Sequence, residues 1–193
     1  MTVPTLVAKY QKHATVNRLK KVYSVLGQVV VHSFNDYGHL SPTETDLTSG
    51  NQAAFMRKYL LPYFSEPKIA DPYFYNGTSK YKALNGNDWG NTVKTTDTRV
   101  LFQTKDGVIY FMFSLRANSV LVAADINGES KPNTLGKDVF EFTIDLSKNT
   151  VTPYEYYKTM SDINSNCSKT GAGERCMAKI VHDGWQIKND YPW

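Results

Sequence analysis

"VNRLKKVYSVLGQVVVHSF", residues 16–34, decides the fold. Apolar side chains recur at Val16, Leu19, Tyr23, Leu26, Val30 and Phe34, in steps of three and four. That spacing gathers them on one face of an α-helix. The other flank carries Arg18, Lys20, Lys21, Ser24, Gln28 and His32, which suit water. Helices become more than marginal only above about 12–15 residues. This one extends back toward the start of the chain and forward to Tyr37, where Gly38 is a natural C-cap. A long helix with a single apolar stripe needs a surface to lie on, and the rest of the chain has to supply it.

The clearest strands follow later. Residues 99–104 and 108–115 flank Lys105-Asp106-Gly107 and read as a β-hairpin. Residues 119–126 form a third strand ending at Asn127-Gly128. In residues 138–146, Val139, Glu141, Thr143 and Asp145 alternate with Phe140, Phe142, Ile144 and Leu146, the pattern of a strand with one buried face. A turn at 147–149 leads into residues 150–154. Short connections make these an antiparallel meander of about four or five strands. Between helix and sheet, residues 38–97 are rich in turn formers, with a short helix over 51–61 stopped by Pro62. A last helix is expected over 174–181, before Gly184. The chain thus divides into an N-terminal helix (1–37), a loop region (38–97), a sheet (98–155) and a C-terminal region (156–193), all within one α+β domain.

Composition agrees with a folded domain of ordinary kind: 193 residues, 41% hydrophobic and 21% charged. Aromatic content is high, with 13 Tyr, 9 Phe and 3 Trp, which favours strands and wet surfaces. The net charge of +4 is spread along the chain except at Arg18, Lys20 and Lys21, so a nucleic-acid partner is not expected. No run of 18 apolar residues suggests a membrane span, and no signal peptide is evident. Cys167 and Cys176 point the other way. Their eight-residue spacer contains Gly171 and Gly173, which allow a compact loop to bring the sulfurs together. A disulfide implies an oxidising compartment; two reduced thiols, or a metal site with His182, are the alternatives.

The order of elements, and several local phrases, resemble the type IV pilins and the type II secretion pseudopilins. "TVPTLVAKYQKHATVNRLKKVYSVLGQVV" (2–30) resembles the segment that follows the apolar stretch of prepilin-type proteins. "FMRKYLLPYF" (55–64), "DINGESKPNTLGKDVFEF" (125–142) and "CMAKIVHDGWQIKNDYPW" (176–193) resemble recurring pieces of one subgroup. The resemblance implies a pilin-like fold, with the long helix packed on the sheet through Val16, Leu19, Tyr23, Leu26, Val30 and Phe34. It implies a structural subunit, anchored in the inner membrane before assembly and later part of a periplasmic or surface filament. The partners would be other pilin or pseudopilin subunits and the inner-membrane assembly machinery. The family's leader, cleavage site and early glutamate find no match here, so no processing residue is carried over. The helix is then expected to be the second half of a longer one, Lys9 and Lys12 to lie in the neck below the head, and this chain to be a monomer. A secreted module binding glycan or DNA through the same head is the alternative.

Chemistry offers less. No nucleophile elbow, zinc-protease, P-loop or dinucleotide motif occurs, and no enzyme is expected. Asp125, Asn127, Glu129 and Asp138 place four oxygen-bearing side chains around one loop, which makes them candidate calcium ligands. The plainer alternative is a turn at Asn127-Gly128 flanked by turn-forming acids. Tyr154, Tyr156, Tyr157, Trp185, Tyr191 and Trp193 would make a sugar-binding platform if all were exposed. The competing expectation is that Tyr191-Pro192-Trp193 tucks in and anchors the C-terminus.

Overall fold

A computed structural model describes residues 3–38, 52–69, 81–89, 99–116, 118–128 and 130–193. The expected loop at 39–50, most of the turn-rich stretch before residue 98, Asn51 and Glu129 lie outside these.

Helix α1 spans Val3–Tyr37. Val16, Leu19, Val22, Leu26, Val29 and Val30 are buried, so its inward face is wider than the six-residue stripe expected from spacing. Tyr23 and Phe34 sit at the margins of that face and are only partly buried. Tyr23 still reaches the sheet, with its hydroxyl donating to Val151 O at 2.8 Å and its ring edge-on to Trp185. Lys20, Lys21 and Gln28 are exposed. Gly38 caps the helix with φ +68° and donates its N–H to Phe34 O at 2.7 Å.

The surface under α1 is an antiparallel sheet. Strands β1 (Lys68–Ile69), β4 (Arg99–Gln103), β5 (Ile109–Arg116), β6 (Ser119–Asp125), β7 (Val139–Asp145) and β8 (Thr150–Pro153) pair in that order. Strands β4 to β8 match the expected meander, and Lys68–Ile69 adds a short edge opposite Gln103 and Phe102. A separate hairpin pairs β2 (Tyr81–Lys82) with β3 (Asp88–Trp89). The α+β architecture is the one expected: a long N-terminal helix, an antiparallel sheet and a disulfide near the C-terminus.

One face of the sheet, through Val100, Phe102, Tyr110, Met112, Val122 and Phe142, packs against α1 and helix α2 (Gln52–Tyr59). After α2 the chain tightens into a 3₁₀ turn, Leu61–Tyr63, with Pro62 inside it. The other face is also buried. Leu101, Phe111, Ala123 and Val139 lie under Tyr81 and Leu135, because Lys82 exchanges backbone hydrogen bonds with Asn133 and Leu135 across that face. This corrects the expectation that β7 presents Glu141 to water: Glu141 is 3% exposed. The unbroken apolar run in β6 is the mark of a strand covered on both sides.

The C-terminal region holds two helices, α3 (Met160–Asn166) and α4 (Cys176–His182). Helix α4 lies close to the expected 174–181. Helix α3 was not foreseen, yet Thr159 and Asp162 carry the signal for it. The Asp162 N–H donates to Thr159 Oγ1 at 3.2 Å, and the Thr159 hydroxyl donates to Asp162 Oδ2 at 2.7 Å.

Candidate functional site

At 1.5 Å per residue, the 35 residues of α1 extend about 50 Å. The seven-residue strand β6 spans only about 23 Å. The buried stretch, Val16 to Val30, matches the sheet, and the N-terminal turns project beyond it. Leu6, Val7 and Tyr10 on that projection are 60%, 49% and 74% exposed. Where the helix leaves the head, three clefts ring it. One of about 600 Å³ lies between Lys9, Lys12, His13 and the Trp185–Asn189 segment. The second, about 460 Å³, is lined by Tyr10, Arg18, Lys131, Lys137 and Trp193. The third is lined by Lys12, Lys169, Asn189 and Trp193.

The head is locked at the same end. Cys167 and Cys176 form a disulfide between the C-cap of α3 and the first residue of α4. Both sulfurs belong to the core rather than to a surface loop, since the two cysteines are 2% and 0% exposed. The tail is tied down beside them. Tyr191 is buried, and its hydroxyl donates to Gly136 O at 2.6 Å. The Lys179 ammonium is buried between Asp190, 2.6 Å away, and Asp183, 3.4 Å away. Burial pushes that ammonium down, but the hydrogen bond to Asp190 and the charge of Asp183 outweigh it, and its pKa ends above the ordinary lysine value.

The candidate calcium ligands are drawn into structural roles. Asp125 accepts from the Tyr81 hydroxyl at 3.0 Å and from the Asn127 N–H at 3.3 Å. Asp138 accepts from the N–H groups of Asn133 and Thr134 at 2.8 and 2.6 Å, which holds the loop around Pro132. Burial raises the Asp138 pKa, against the lowering effect of those donors. Asn127 donates to Lys131 O at 3.4 Å. Among the described residues no group of three or more His, Cys, Asp or Glu side chains is placed to hold a metal ion; Glu129 is outside them.

The residue that spacing placed on the wet face of β7, Glu141, has a strongly perturbed carboxyl. Burial pushes its pKa well above the ordinary 4.5, and the charges of Glu174 and Glu155 push it further. Folding therefore retains a proton that the unfolded chain releases. Stability from this group is complete below pH 4.5 and is lost as pH rises toward the folded-state value, at about 1.4 kcal/mol per pH unit. Glu141→Gln, which keeps the shape without the charge, is expected to flatten that slope. Urea melts between pH 5 and 8 check it, and equal slopes in both proteins would remove Glu141 as the cause.

The six aromatics do not form one platform. Tyr157 is 71% exposed, but Tyr191 is buried, Trp185 packs edge-on to Tyr23, and Tyr156 stacks on His182 at 4.2 Å. No helix among the described residues is long and apolar enough to cross a membrane. Residues 5–193 match a family described as a family of unknown function (DUF6613), and the chain belongs to it. No curated protein and no solved structure matches the chain.

Proposed function

We propose that this DUF6613 member is the head of a structural subunit of an extracytoplasmic filament, of the type IV pilin or type II secretion pseudopilin kind. One observation carries the reading: α1 is shared between two tasks. Its Val16–Val30 stretch is core of the head, whereas Leu6, Val7 and Tyr10 stand apolar and exposed on a projecting stalk. A helix of that form anchors one domain while offering a spine for other copies to pack against, which supports polymerisation as the function. The buried disulfide favours a compartment outside the cytoplasm. The partners are further pilin-type subunits together with the inner-membrane machinery that assembles them.

The test is cross-linking of the protein in the cells that make it. Cysteines introduced at Leu6 and Tyr10 are expected to give a ladder of disulfide-linked oligomers in sheared surface material. The isolated 193-residue chain, with only a short stalk, is expected to sediment as a 21.8 kDa monomer. Head found singly in the medium, with no ladder, would favour a secreted glycan- or DNA-binding module instead.

A further inference from the structure

We propose that the end of the head from which α1 projects is a docking surface for a bilayer rich in anionic phospholipid headgroups. It rests on charges, clefts and exposed apolar side chains and does not depend on filament formation.

Charge on α1 is one-sided along the chain. From Val3 to Asn35 it carries Lys9, Lys12, Arg18, Lys20 and Lys21, and no aspartate or glutamate. The loops that surround the root of the stalk add more cations. Lys9, Lys12, Arg18, Lys131, Lys137 and Lys169 line the three clefts there, and none has an ion-pair partner among the described residues. Several cations elsewhere find carboxylates: Lys105 pairs with Glu66, Lys148 with Asp145 and Arg175 with Glu155. Among the described residues the acids at the root are already engaged. Asp138 is held by backbone N–H groups, and Asp183 and Asp190 by Lys179. A ring of uncompensated cations around one end of a protein is a match for a layer of negative charge.

The arrangement along the helix chooses a membrane over a dissolved anion or nucleic acid. Level with Lys9 and Lys12, α1 carries Tyr10, and outward from them Val7 and Leu6, all exposed. Trp193 lines two of the same clefts as the lysines. Aromatic side chains level with lysines, with apolar ones beyond, follow the polarity gradient of a bilayer surface. From Arg18 to Leu6 the rise is about 18 Å, enough to pass from headgroups toward acyl chains.

The experiment is co-sedimentation of the full chain with vesicles of phosphatidylcholine alone and of phosphatidylcholine with 30% phosphatidylglycerol. Binding is expected only to the anionic vesicles and is expected to disappear in 0.5 M NaCl. Each cation at a charged surface strengthens partitioning by about five-fold, so Arg18→Glu/Lys137→Glu is expected to weaken it by at least about 25-fold. Arg57→Glu/Lys148→Glu makes the same change of net charge at the opposite end and is expected to leave partitioning within two-fold. Circular dichroism verifies that both variants are folded. Equal binding to neutral vesicles, equal losses in the two variants, or binding to duplex DNA but not to vesicles would each overturn the proposal.

Discussion

Leu26→Asp is expected to abolish the folded head. Leu26 is fully buried where α1 crosses the sheet, in contact with a core that includes Val122 and Phe142. Losing the leucine alone costs about 2–5 kcal/mol, and placing a carboxylate in the vacated apolar site adds a further penalty of several kcal/mol. Folded domains hold only about 5–15 kcal/mol in total, so the sum consumes most of it. Two companion substitutions separate burial from charge. Leu6→Asp puts the same carboxylate on a 60% exposed position of the stalk and is expected to leave the melting temperature unchanged. Lys21→Glu removes an exposed ion pair with Asp106, at 2.8 Å, and is expected to cost about 1 kcal/mol or less. Thermal melts followed by circular dichroism check all three. A cooperative Leu26→Asp melt within a few degrees of the parent would mean that α1 is not part of the core.

How far the sequence predicted this arrangement depends on which interactions are local. The helix was legible because its periodicity repeats over more than five turns. Five strands, β4 to β8, were legible because turn formers bound them and β7 alternates with a period of two. The error at Glu141 has a non-local cause. Alternation tells which residues share a face, and that part was right. It does not tell what covers the second face: Tyr81 and Leu135 lie over its Val139 end, and Glu141 itself sits near Glu155 and Glu174 of the C-terminal region. The same limit applies to Asp125 and Asp138. Their spacing admits calcium beside the plainer turn. It does not reveal the Tyr81 hydroxyl, 44 residues distant, or the two backbone N–H groups that these carboxylates accept from. Helix α3 is a different kind of omission, since the capping pair Thr159 and Asp162 is entirely local. The cation ring at the stalk root was invisible as a cluster, because it is assembled from α1, the 126–138 loop and the α3–α4 loop.

Cys167→Ala/Cys176→Ala is expected to destabilise the head by about 3 kcal/mol, and its interaction with Gly136 reveals why. Closing a loop of about ten residues accounts for roughly 2.7 kcal/mol through the entropy of the unfolded chain. Native protein alkylated without reductant is expected to show no free thiol, because the described chain has none. The bond also sets local packing. Gly136 has φ +75°, and a Cβ built on it would stand 2.7 Å from Cys176 Sγ and 3.1 Å from Cys176 Cβ. Gly136→Ala alone therefore combines a left-handed backbone cost of about 1–2 kcal/mol with a steric collision against a cross-linked sulfur that has little room to retreat. In the double-alanine background the sulfur is gone and only the backbone cost, with the longer 3.1 Å Cβ contact, remains. The second Gly136→Ala measurement is thus expected to be smaller than the first by about 1 kcal/mol or more. Contacting residues show coupling of that size in double-mutant cycles, and independent ones add within about 0.5 kcal/mol. Strict additivity would mean that the disulfide acts only on the unfolded chain. Coupling of the expected sign would show that it also shapes the turn whose Gly136 carbonyl receives the Tyr191 hydroxyl and fastens the C-terminal tail.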